Sequence, residues 1–196
     1  MSSGHPGLTN DFQEKGSPFN WSPENLKEIE LIKSKYPKEK IQSAVMPLLY
    51  LAQKQNDNWL SSECIEKISE TLNMPKIRVA EVASFYSMFN LKPVGKNLVQ
   101  ICRTSPCWLR GSNKITNAIY DSTKCDINQT SDDGMFTVVE VECLGACSNG
   151  PMIQINDDFY EDLNEKNTKE IIENIKNNKP NKIGSQIGRI SSENAE

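Results

Sequence analysis

Histidine is nearly missing from this 196-residue chain: the single one, His5, lies in a polar stretch without any hydrophobic period. That shortage excludes Cys/His zinc fingers, imidazole-ligated Rieske-type centres and a histidine general base. A strong positive charge is missing too. The net charge is −4, and there is no basic arm or aromatic–basic stripe of the kind that holds nucleic acid. Long apolar runs are also absent. The longest, Ala44 to Ala52, is interrupted by Pro47 and falls far short of the roughly 20 residues a spanning helix needs, so any membrane association is expected to go through a partner. The segment Met1–Lys15 has neither an apolar secretion core nor an Arg-rich amphipathic pattern, which reads as a cytoplasmic chain or one already processed. In a reducing compartment, six cysteines are expected as ligands or bystanders rather than as disulfides.

Residues 1–20 read as an extended arm. From Ser22 the chain shows an N-cap serine, proline at the first helical position and early glutamates, with Leu26, Ile29 and Ile32 as an apolar stripe. A second helix is expected across 39–55, with Ile41, Val45, Leu48, Leu49 and Ala52 on one face and Pro47 either kinking it or marking its true start. Ser61 or Ser62 caps a third helix facing Ile65, Ile68 and Leu72 inward, and Pro75 opens a fourth. Residues 21–92 therefore read as a helical bundle.

The pattern changes at Pro93-Val94-Gly95. A strand at 97–102 precedes a helix at 107–120, with Leu109, Ile115 and Ile119 inward despite Gly111. A turn at 131–134, strands at 136–141 and 151–155, a hairpin partner at 157–162 and a helix from Thr168 complete a β-α-β-β-β-α order over 93–178. The fold class expected is α+β. Residues 179–196, with scattered glycines and isoleucines, read as an extended tail suited to docking on a partner subunit.

The chemistry lies in sulfur. Cys102 and Cys107 form a C-x4-C pair around Pro106, and Cys143 and Cys147 a C-x3-C pair among small residues. Cys102 ends a strand and Cys107 opens a helix, whose free N–H groups favour a thiolate. Cys143 is expected to end a strand, which puts both pairs at one end of one sheet if the strands run parallel. Gly145 and Ala146 would let backbone N–H groups reach sulfur. No C-x-x-C dithiol is present. Two irons bridged by two sulfides need two thiolates each, and the spacing favours that arrangement. A four-thiolate zinc site and a thiol redox pair remain open. Cys64 and Cys125 read as packing residues, and Trp59, Trp108, Phe85, Tyr86 and Phe89 as core or interface.

The stretches C-R-T-S-P-C-W-L-R-G-S from Cys102, V-E-C-L-G-A-C-S-N-G-P-M-I-Q-I-N-D-D-F-Y-E-D-L from Val141, S-A-V-M-P-L-L-Y-L-A-Q from Ser43 and E-V-A-S-F-Y-S-M-F-N from Glu81 closely resemble one family. It is the small, E-type iron–sulfur subunit of the proton-pumping NADH:quinone oxidoreductase, respiratory complex I, and the likeness runs from about Phe19 into the tail. The resemblance implies a helical bundle followed by a thioredoxin-like ferredoxin domain, with Cys102, Cys107, Cys143 and Cys147 holding one [2Fe–2S] cluster. It implies an electron-transfer subunit without a complete active site of its own. Its partners would be the NADH- and FMN-binding subunit, which also carries a [4Fe–4S] cluster, and the large multi-cluster subunit. It would sit at the cytoplasmic side of a bacterial inner membrane, or on the matrix side if mitochondrial. The equivalent diaphorase subunit of an NAD-linked hydrogenase or formate dehydrogenase is the alternative, and a zinc-stabilised interaction module a further one. Arg103 and Gly150 depart from the family pattern, and Arg103 would place a positive charge near the cluster.

Overall fold

The computed structural model describes residues 16–190. His5 and most of the expected N-terminal arm lie outside the described residues, as do 191–196 of the tail. The chain divides between Val94 and Gly95 into two compact units.

The first unit is helical. Helix α1, Pro23–Ser34, starts at Ser22, whose hydroxyl accepts from the Asn25 N–H, and buries Ile29 and Ile32. Leu26, expected to face inward, is exposed. Residues three apart retreat by about 60° per step around a helix of 3.6 residues per turn, so Leu26 stands about 120° from Ile32. The expected single helix over 39–55 is two elements: a 3-10 segment, Lys38–Ala44, and α2, Val45–Gln55. Pro47 sits in the first turn of α2, where its missing N–H has no intrahelical acceptor to leave unsatisfied. Helix α3, Ser62–Leu72, is capped by Ser61, and α4 spans Lys76–Phe85. Leu48, Leu49, Ile65, Ile68 and Leu72 form the centre of one core with Phe89.

The second unit is a mixed sheet of six strands in the order β2-β3-β1-β4-β5-β6. These are β1 Asn97–Cys102, β2 Gln129–Thr130, β3 Phe136–Val141, β4 Ile153–Ile155, β5 Asp158–Glu161 and β6 Gly184–Ser185. Strands β1 and β3 run parallel, and β4 lies antiparallel on the other side of β1. Val99 and Ile101 share a core with Val138, Ile153 and the helix residues Ile115, Ile119, Ile171 and Ile172. Strands β2 and β6, two residues each, carry too short a pattern to be read from the sequence.

Three helices belong to this unit: α5 Ser105–Leu109, α6 Ser112–Thr123 and α7 Glu165–Lys176. The helix expected at 107–120 is therefore two. Gly111, with φ +96°, turns the chain between α5 and α6 in a conformation that favours glycine. The helical phase does not carry across it, which is why Leu109 is 75% exposed while Ile115 and Ile119 are buried. Helix α7 starts at Glu165, earlier than Thr168, because Asn164 and Asn167 form a capping box. Part of the expected docking tail packs on its own sheet: β6 pairs with β5, and Ser185 is buried.

Candidate functional site

Cys102 is the last residue of β1 and lies opposite Val141, the last residue of β3. Because the two strands run parallel, both cysteine-bearing segments leave the sheet at one end. Cys143 stands two residues beyond β3 rather than ending it, and Cys147 opens a 3-10 turn, Cys147–Asn149. Cys107 lies in α5. Thr104 precedes α5 without capping it; its hydroxyl is instead 3.3 Å from Cys102 Sγ.

The four sulfurs come as two pairs, and each pair holds protons unequally. Burial acts to raise the Cys102 thiol, but hydrogen bonds from the Thr104 hydroxyl and from the Thr104 and Leu144 backbones outweigh it and hold the thiol below its ordinary value. Burial, the Cys102 hydrogen bond and the Cys102 negative charge push Cys107 up to about 12. The N-terminus of a five-residue helix does not overcome these, so the expected lowering at Cys107 is not found. In the second pair, hydrogen bonds from the Cys147 thiol and the Gly145 N–H lower Cys143. The Cys143 hydrogen bond and then burial raise Cys147. Like charges this close do not both ionise readily.

The Sγ atoms of Cys143 and Cys147 are 3.2 Å apart, a thiol contact well outside the disulfide length of about 2.05 Å. Thiolates on one tetrahedral metal, with bonds near 2.3 Å, are about 3.8 Å apart, so this pair needs to open by only about half an ångström to hold one. Among the described residues no group of three or more His, Cys, Asp or Glu side chains is arranged to hold a single metal ion. Two donors per pair is the number that each iron of a [2Fe–2S] centre takes from the protein, so the donor set fits such a group. The Gly145 N–H donates to Cys143 Sγ at 3.4 Å. Cys102 and Cys107 are packed with Met152, Leu144, Ala146 and Phe159, a lining that keeps water from that side. A Cβ on Gly150 would stand 3.2 Å from Cys107 Sγ, so glycine at this position leaves room beside a sulfur.

Thr104, the Leu144 backbone and the surroundings of Ser148 were not read from the sequence. Only Thr104, two residues after a cysteine, offered a local signal. Arg103, directly after β1, is ion-paired with Glu140 of β3, so its positive charge is offset. Cys64 and Cys125 are buried, and burial raises both thiols; they behave as packing residues. Phe89 is core, whereas Phe85, Tyr86 and Trp108 are exposed.

A mixed sheet carrying two cysteine pairs at one end defines a ferredoxin-like class. Residues 29–176 match the family model described as thioredoxin-like [2Fe-2S] ferredoxin. The chain is 48% identical over 177 residues to NADH dehydrogenase [ubiquinone] flavoprotein 2, mitochondrial, of Dictyostelium discoideum, covering 90% of this chain and 72% of that one. It is 48% identical over 159 residues to the E-type subunit of NADH-quinone oxidoreductase from Rickettsia bellii, covering 81% and 95% respectively. Among solved structures, an air-oxidized NAD+-reducing [NiFe]-hydrogenase shares the fold with a TM-score of 0.59 at 21% identity, over 67% of this chain and 23% of that chain. The chain belongs to the thioredoxin-like [2Fe-2S] ferredoxin family, in the branch formed by the E-type subunits of NADH-quinone oxidoreductase.

Proposed function

We propose that this chain is the electron-transfer subunit of an NADH:quinone oxidoreductase, with Cys102 and Cys107 holding one iron of a [2Fe–2S] cluster and Cys143 and Cys147 the other. The observation that carries the reading is the convergence of two thiol pairs where β1 and β3 end side by side. The relatives at 48% identity support the oxidoreductase complex. When bound, the cluster supplies one-electron exchange with a flavin. The FMN and the NADH site belong to a neighbouring subunit, and a large multi-cluster subunit completes the assembly at the cytoplasmic or matrix face. No helix among the described residues is long and apolar enough to cross a membrane, in keeping with attachment through these partners.

The chain's own residues bind, shield and orient. The Gly145 N–H and the Thr104 hydroxyl point at sulfur, where they stabilise negative charge. Leu144, Ala146, Met152 and Phe159 exclude water. The helical unit that precedes the ferredoxin domain is read as a bundle over 21–92. The hydrogenase-diaphorase alternative has only a shared fold behind it.

Anaerobic purification followed by iron and acid-labile sulfide analysis tests the proposal. About two of each per chain and a reddish-brown protein are expected. A colourless protein containing zinc would overturn it.

A further inference from the structure

Two guanidinium groups from different parts of the second unit converge on one carbonyl beside the last cysteine. Arg110 Nη1 donates to Ser148 O at 3.2 Å, and Arg189 Nη2 donates to the same oxygen at 3.0 Å. Ser148 directly follows Cys147. Arg110 is the C-cap residue of α5, the helix that contains Cys107, so its side chain ties one thiol-bearing element to the turn that carries Cys147. Arg189 comes from the C-terminal segment and is itself anchored. Its Nη1 donates to Asp162 Oδ1 at 3.0 Å, and the Ser185 hydroxyl donates to Asp162 Oδ2 at 2.7 Å. The Arg189 backbone N–H closes the ring onto Ser185 Oγ at 2.9 Å. Asp162, 7% exposed, in turn sends its own N–H to Asn149 O at 2.6 Å. The same turn is thus gripped through its Ser148 and Asn149 carbonyls. A groove of about 530 Å³ separates much of this strap from the Leu144–Asn149 loop, so Arg189 spans a gap instead of lying in a packed wall.

We propose that Arg110 and Arg189 are positioning residues for the cluster: they clamp the Ser148 carbonyl, fix the turn that carries Cys147, and place positive charge where it favours the reduced site. This rests on the proposed assignment of the cysteines. Reduction adds one electron from the redox partner to the site, making it more negative by one charge, and oxidation returns that electron. A cation held on the carbonyl of the residue next to a ligand therefore interacts more favourably with the reduced state, and its removal shifts the equilibrium toward the oxidised one. Asp162, ion-paired with Arg189 at 3.0 Å, offsets part of its charge, whereas no ion pair is found for Arg110 among the described residues. The C-terminal segment accordingly serves the site itself, through Arg189.

The test uses the full-length protein carrying its cluster. Arg110→Gln, Arg189→Gln and Arg189→Lys are compared by EPR-monitored redox titration, together with iron content and far-UV circular dichroism. Arg110→Gln and Arg189→Gln are each expected to keep about two irons and to lower the midpoint potential by a several-fold change in the reduction equilibrium, a tenfold change being about 59 mV for one electron. Arg189→Lys should restore most of the shift, because the charge remains. Loss of cluster from Arg189→Gln with unchanged circular dichroism would also support the clamp. Unchanged midpoints in both Gln variants at full iron content would overturn the proposal while leaving the cysteine assignment intact. Absence of a [2Fe–2S] signal from the unsubstituted protein would instead overturn the assignment.

Discussion

Cys102 and Val141 lie directly opposite each other as the last residues of β1 and β3. The parallel pairing means that neither strand can return to its neighbour by a tight hairpin, so α5 and α6 fill the crossover. Two segments far apart in sequence thereby begin their loops side by side, and the thiol pairs meet.

Cys143→Ser replaces a thiol that Cys147 and Gly145 hold below its ordinary value. Serine does not ionise in this range and offers a harder donor. The expected outcome is loss of the [2Fe–2S] EPR signal with the helical signal in far-UV circular dichroism retained, since Cys143 is exposed and lies in no core. An unchanged signal would remove Cys143 from the ligand set.

Gly95→Ala tests close backbone approach. A Cβ there would lie 2.7 Å from the Phe136 carbonyl carbon and 3.0 Å from Gly134 O. These are backbone atoms at the start of β3 and cannot swing aside. A destabilisation of about 1–3 kcal/mol is expected, as for other overpacked sites. Urea unfolding followed through the second unit would measure it; an unshifted midpoint would show that the β-strand register yields.

In the first unit, Ile68 is fully buried on α3, whereas Ile77 on α4 is 66% exposed. Ile68→Ala should cost about 2–5 kcal/mol through lost burial and a residual cavity. Ile77→Ala should stay within about 0.5 kcal/mol. Equal effects in chemical denaturation would contradict this placement of the core.

Lys169 donates to Asp121 at 3.0 Å, linking α7 to α6. That hydrogen bond, with the Lys169 charge, lowers the Asp121 carboxyl below the ordinary carboxylate value. A folded-state pKa below the unfolded one gives stability that is present above the unfolded pKa and lost as pH falls through the folded value. NMR titration should find Asp121 below the usual range, and Lys169→Gln should return it toward that range. An unmoved Asp121 in this variant would show that the pair is not formed.

Much of the architecture is local and could be read along the chain. Ser22 and Ser61 cap helices because their hydroxyls reach backbone N–H groups within one turn. Ile65, Ile68 and Leu72 face inward because their spacing matches the helical period. Leu109 shows where this fails: the period beyond Gly111 predicts an inward residue, but the left-handed glycine resets the phase. Strand β6 fails for another reason. Two residues carry no alternation, and Gly184–Ser185 is a strand only because the edge of β5 offers it partners.

The residue types and short spacings of the chain were enough to mark the helices of its first unit and to single out its two cysteine pairs, and its longer motifs pointed to its branch of the family, because caps, periods and cysteine spacings act over a few residues. Folding alone decided which thiol of each pair is lowered and which is raised, that Thr104 turns to Cys102 instead of capping α5, and that Arg110 and Arg189 meet at Ser148. Those outcomes depend on burial and on charges brought together from distant positions, and neither exists until the sheet has formed.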